Sequence, residues 1–199
     1  MAGYGLRPYS GQGGSNHSGG FTEYPILDNY ATAIFAGDFM VRGTDGYVVE
    51  AGASPSGASA ATSTIGVAVG FRYVGSDGTP VWSQYYDGNA ANTEAFAYVA
   101  DDPNQLFVVQ GDGVGATTDQ DDLGMNAPVI LTAGSTSTGN SGTVMDSSSA
   151  AITAALAVRI IKIVKDGENE YRSGTDTNNV IVRITSNAHA YTNATVAPA

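Results

Sequence analysis

The chain contains no cysteine. Disulfides and thiolate-bound metals are therefore excluded. Charge is also scarce: charged residues make up 14% of the chain, where about a quarter is usual. Basic residues are scarcest, with eight Lys and Arg against 19 Asp and Glu, for a net charge of −11. Such a surface repels phosphate, so neither nucleic acid nor an anionic membrane is an expected partner. No apolar run approaches the length of a membrane span. The opening MAGYGLRPYSGQGG lacks the hydrophobic segment of a secretory signal, so synthesis and folding in a cytoplasm are expected.

Residues suited to catalysis are equally thin. There are two histidines, His17 and His189, each among small polar neighbours. Neither sits in a spacing that suggests a Ser-His-acid triad or a zinc site. No Walker loop and no Gly-x-Ser-x-Gly elbow occurs. Asp112, Asp119, Asp121 and Asp122 lie close together, with Asp101 and Asp102 upstream. A calcium loop needs alternately spaced acids closed by a bidentate Glu; here no acid falls between Asp112 and Asp119, and no Glu lies nearby. These carboxylates read as turn residues in water. The expectation is a non-enzymatic protein with no catalytic residues, no metal, no cofactor and no small-molecule substrate.

What the chain has is glycine, 26 of 199 residues, about twice average usage, together with much Ala, Ser and Thr. This composition suits short strands joined by turns. The most legible element is Ser63–Tyr86. Two runs of strand-forming residues, Thr64–Val74 and Val81–Tyr86, flank Gly75-Ser76-Asp77-Gly78, a hairpin signature. One face of Val67, Val69, Phe71 and Tyr73 is expected in a core, and the lone Trp82 is expected there too.

Other segments follow the same rule. Pro25 suits an edge position in the entry segment 21–30. Ile34-Phe35, Phe39–Val41 and Tyr47–Val49 suggest a second hairpin around Gly43–Gly46. Further strands are predicted at Ala95–Val99, Leu106–Gln110, Val129–Leu131 and Val180–Ile184. A short helical turn is predicted at Asp119–Leu123, capped by its aspartate. Residues 150–165 fit either a helix or a strand; the dense Ile and Val of Val158–Lys165 favour strand. The segments 51–63 and 132–149 read as loops. About nine or ten short strands predict an all-β protein: a single β-barrel or β-sandwich domain of short antiparallel strands over residues 21–199. An extended Gly-rich N-terminal arm, residues 1–20, precedes it. Tyr4, Leu6, Arg7, Pro8 and Tyr9 are placed along that arm like contacts for a partner.

Several stretches together resemble the capsid decoration, or cement, proteins of tailed bacteriophages. They are GYGLRPY with its Gly-rich continuation, GGFTEYPI, NYATAIFAGDFM, IGVAVGFRYVGSDGTPVWSQYY and YVADDPNQLFVVQGDG, and more faintly LGMNAPVILTAGSTSTGNSG and the strand pair in 156–184. The resemblance implies a structural virion protein, a β-rich protomer that is a homotrimer. It would be assembled in the host cytoplasm and bound to the capsid exterior. Its partner would be the major capsid protein, whose subunits it would cement to stabilise the head. An alternative is a tail- or fibre-associated module that binds a glycan or receptor through Trp82, Tyr85 and Tyr86.

Overall fold

The computed structural model describes residues 3–11, 20–43, 46–52, 64–115, 118–153, 156–164 and 177–185. His17, His189, Lys165 and residues 53–63 of the predicted loop 51–63 lie outside them. The described residues form an all-β structure of 15 strands. In chain order these are β1 (Arg7–Gly11), β2 (Thr22–Pro25), β3 (Ile34–Phe35), β4 (Phe39–Arg42), β5 (Val48–Glu50), β6 (Thr64–Val74), β7 (Pro80–Ser83) and β8 (Tyr85–Tyr86). Then follow β9 (Thr93–Ala100), β10 (Gln105–Gln110), β11 (Asn126–Ala127), β12 (Val129–Ile130), β13 (Val144–Met145), β14 (Val158–Ile163) and β15 (Asn179–Ile184).

Two open antiparallel sheets carry the architecture. One has the order β1-β10-β15-β14-β11; the other is β2-β9-β6-β4-β5, with β7 also paired to β6. Two small pairs, β12-β13 and β3-β8, complete it. Neither large sheet closes on itself among the described residues, so the arrangement is sandwich-like, with no closed barrel.

The hairpin predicted around Gly75–Gly78 forms, but its second arm stops at Ser83, and Tyr85–Tyr86 pairs with β3 instead of β6. The Gly75 N–H donates to the Thr79 carbonyl at 2.9 Å, and Gly78 takes φ +79°, a conformation that costs glycine little. The expected single apolar face of β6 does not form. Val67 and Val69 face one core, while Phe71 and Tyr73 face another. The pairing of β6 with β9 shifts register between Ala68 and Gly70. A bulge inserts one residue and so reverses which face every later side chain occupies.

The second sheet is consequently apolar on both sides over part of its area. Towards the first sheet, Phe39, Val67 and Ala100 pack with Phe107, Val109, Val158, Ile160, Val180 and Val182. On its opposite face, Met40, Ala68, Phe71, Ala97 and Val99 pack under Ile26, Ile34 and Tyr86. Each wholly buried aliphatic or aromatic side chain contributes roughly 1.5–3 kcal/mol of hydrophobic stabilisation. Dividing these residues between two faces lets strands as short as β3 and β8 be held by packing.

The segment ambiguous between helix and strand is strand β14. Val158, Ile160 and Ile163 point inward, and Arg159, Ile161 and Lys162 outward. A register shift between Ile160 and Lys162 breaks the alternation. That break mimics a helical spacing in the sequence. The turn at Asp119 forms as a 3-10 segment, Gln120–Asp122, with the Asp119 carboxylate accepting from the Asp121 N–H and the Asp122 carboxylate accepting from the Asp119 N–H.

Candidate functional surfaces

The N-terminal residues expected to act as contacts divide into two groups. Leu6 is 1% exposed and belongs to the core between the sheets. Its N–H donates to the Gly37 carbonyl at 3.1 Å. The Tyr4 hydroxyl donates to Asn179 Oδ1 at 2.7 Å. Burial pushes the Tyr4 phenol up to about 12, although the adjacent Arg7 works in the opposite direction. Both residues therefore anchor the segment to its own chain.

The approach that permits this is glycine on glycine. Gly5 (φ +73°) and Gly37 (φ +98°) lie so close that a Cβ on Gly37 would stand 2.9 Å from the Gly5 Cα. Beyond this clamp the chain becomes β1, the outer strand of the first sheet, paired with β10. Pro8 lies within this edge strand, where its missing N–H removes no bond that an inner strand would need. Tyr9, two residues beyond Arg7 and at the register shift between Pro8 and Ser10, faces outward, 53% exposed. Arg7 is also exposed, with its guanidinium 4.5 Å above the Tyr4 ring. The outward-facing group is thus Arg7 and Tyr9, with Pro8 between them half-buried.

A second feature was not legible in the sequence. Asp38 and Glu50 line a cleft of about 240 Å³ together with Thr32, Phe35, Phe39 and Thr132. Asp38 is 7% exposed; its carboxylate accepts from the Phe35 N–H at 2.7 Å and hydrogen-bonds Ser141. Burial raises its pKa, and those hydrogen bonds oppose the rise. Burial also pushes Glu50 up to about 7, with the nearby Asp38 carboxylate adding to the effect. The Tyr30 hydroxyl is raised as well, first by burial and then by Glu50. Glu50 therefore takes up its proton close to neutrality. Asp38 follows a turn glycine and Glu50 ends β5, and only the pairing of β4 with β5 and β6 brings their surroundings together.

The aromatic residues of the hairpin are dispersed. Tyr86 is 1% exposed, in the outer core, with its hydroxyl donating to the Tyr30 carbonyl at 3.1 Å. Tyr85 stacks on Phe35, with ring centroids 5.7 Å apart. Trp82 is not in a core. It is 71% exposed and stacks on Tyr98 across β6, with centroids 6.0 Å apart and planes 14° from parallel. Arg72 lies beside them, its guanidinium 4.0 Å above the Phe96 ring and paired with the Glu23 carboxylate.

The reason for this exposure is tertiary. Ala100 at the end of β9 is covered by the first sheet. Tyr98 and Phe96 continue the same face by alternation but are only half-buried. That stretch of the second sheet, with Trp82 over Tyr98, meets solvent.

The clustered aspartates serve the backbone. Asp112 accepts from the Ser147 N–H at 3.1 Å, and Asp119 and Asp122 cap their turn. No group of three or more His, Asp or Glu able to hold a metal occurs among the described residues. Arg159 donates to the Gly124 carbonyl at 3.1 Å, and Lys162 is exposed beside it on β14. In comparisons with known proteins, no family model, no curated protein and no solved structure matches the chain.

Proposed function

We propose that this chain is a structural protein of a tailed-bacteriophage head, bound as a homotrimer to the capsid exterior, where it cements major capsid protein subunits. It carries out no catalysis in this role. The observation that carries the reading is the placement of GYGLRPY. Tyr4, Gly5 and Leu6 fix the stretch to the body, and Arg7 and Tyr9 are held outward on an edge strand. Arginine and tyrosine are the residue types that most often dominate protein interfaces. Preorganising them on a paired strand lowers the entropy lost on docking. The net charge of −11 supports an outer rather than a DNA-facing position, since a polyanion repels acidic protein.

The test is co-sedimentation of the purified chain with heads of a phage that encodes it, read as a copy ratio to the major shell protein. Wild type is expected in the head fraction at a fixed ratio. Arg7→Ala/Tyr9→Ala is expected to lose at least about tenfold in affinity, or ~1.4 kcal/mol, with unchanged thermal stability. Absence of wild type from the head fraction would refute the role. The trimer is tested by sedimentation equilibrium, with an expected mass three times the 20.3 kDa chain. Deleting residues 1–20 is the poorer experiment, because it also removes Leu6 from the core and β1 from its sheet.

A further inference from the structure

We infer that the solvent-facing part of the second sheet around Trp82 is a binding site for a neutral oligosaccharide. Trp82 is the most exposed aromatic side chain among the described residues, and its indole lies nearly parallel to the Tyr98 ring. Between their strands, opposite Tyr98, β6 carries Gly70. This glycine is not required by its backbone, since it lies outside the positive-φ set. Nor does packing require it: a Cβ there would meet only the Ser83 backbone oxygen, at 3.6 Å. Its effect is to leave no side chain beneath the stacked pair, whose indole is 71% exposed to solvent.

Arg72 and Glu23 stand on the same face. They supply directional donors and a carboxylate acceptor next to the aromatic surface. A pyranose ring has a face of C–H groups that packs on an indole and an equatorial rim of hydroxyls that needs charged or amide partners. The site offers both in that order.

Other occupants fit less well. A protein interface of standard size buries about 800 Å² on each side. Here the apolar area is three rings, two of them already half-buried. A nucleic acid also stacks on aromatics, but it needs net positive charge. The Arg72 charge is neutralised by Glu23 on a chain of net charge −11. The same pairing disfavours acidic sugars and selects neutral ones. This site lies on β6, β7 and β9, in the other sheet from β1, so it stands or falls independently of head attachment.

Because Trp82 is the only tryptophan, the intrinsic fluorescence of the whole chain reports on this surface. Cellotetraose, chitotetraose and maltotetraose are titrated separately. At least one is expected to give a saturable change in emission with a dissociation constant on the order of 0.1–1 mM, the range of weak binding. Tyr98→Leu and Arg72→Met are each expected to weaken it by at least about tenfold. Trp82→Ala, exposed and therefore foldable, is expected to abolish the heat of binding in calorimetry. Three outcomes would overturn the inference: no saturable change with any of the three sugars, an unchanged titration in both variants, or an emission shift that follows protein concentration alone. The last would assign the surface to a second copy of the chain.

Discussion

Replacing Glu50 with glutamine tests the acidic cleft directly. In the native protein Glu50 titrates near 7 instead of the ordinary 4.5, chiefly because it is partly buried and secondarily because Asp38 lies close. The folded state therefore binds more protons than the unfolded chain between pH 4.5 and 7, and stability falls as pH rises through that window. Relative stabilisation is complete below the unfolded value and is lost once pH passes the folded one. At about 1.36 kcal/mol per pH unit the full shift corresponds to ~3.4 kcal/mol. Glu50 is only half-buried, so solvent screening reduces this to about 1–1.5 kcal/mol. Glu50→Gln keeps the shape and removes the titration. Urea denaturation from pH 5 to 8 should show the wild type losing that amount relative to the variant. At pH 8 the variant should be the more stable, with a melting temperature higher by about 2–6 °C. In an Asp38→Asn background the Glu50 transition should move to lower pH. A variant that keeps the wild-type slope, or is less stable at pH 8, would refute this account of the cleft.

The Gly5–Gly37 clamp predicts a cost that combines strain and collision. Gly37→Ala should lose about 2–4 kcal/mol, while Gly46→Ala, at φ +87° with open space around it, should lose only about 1 kcal/mol; paired urea melts separate the two effects. Phe107→Ala and Phe71→Ala each open a cavity in a different core and should each cost about 3–5 kcal/mol. Because those cores lie on opposite faces of one sheet, the double variant should be close to additive, provided it still folds. Trp82→Ala should change stability by no more than about 0.5 kcal/mol, as calorimetric melting would show; a large loss would mean that the indole is a core residue after all.

Local composition settled much of this protein. Apolar runs of β-branched and aromatic residues between Gly, Asp and Asn are enough to set strand type, and the hairpins at β4–β5 and β6–β7 follow from their turn residues. Pro25 on an edge strand and Asp119 at the start of a turn are likewise local, because each acts through its own backbone. Tertiary pairing decided what the side chains then meet. The bulges at Ala68/Gly70 and Ile160/Lys162 reverse or interrupt alternation, and no period-two reading contains them. Alternation alone therefore places Phe71 on the face of Val67, and the spacing in 150–165 fits a helix as well as the strand that its Ile and Val content favours. Tyr98 and Phe96 stay only half-buried, and Trp82 stands in solvent beside them. Asp38 and Glu50 share a cleft only because β4 and β5 pair. Side-chain alternation is a property of a single strand, whereas bulges, sheet overlap and cleft formation depend on partners distant in the chain.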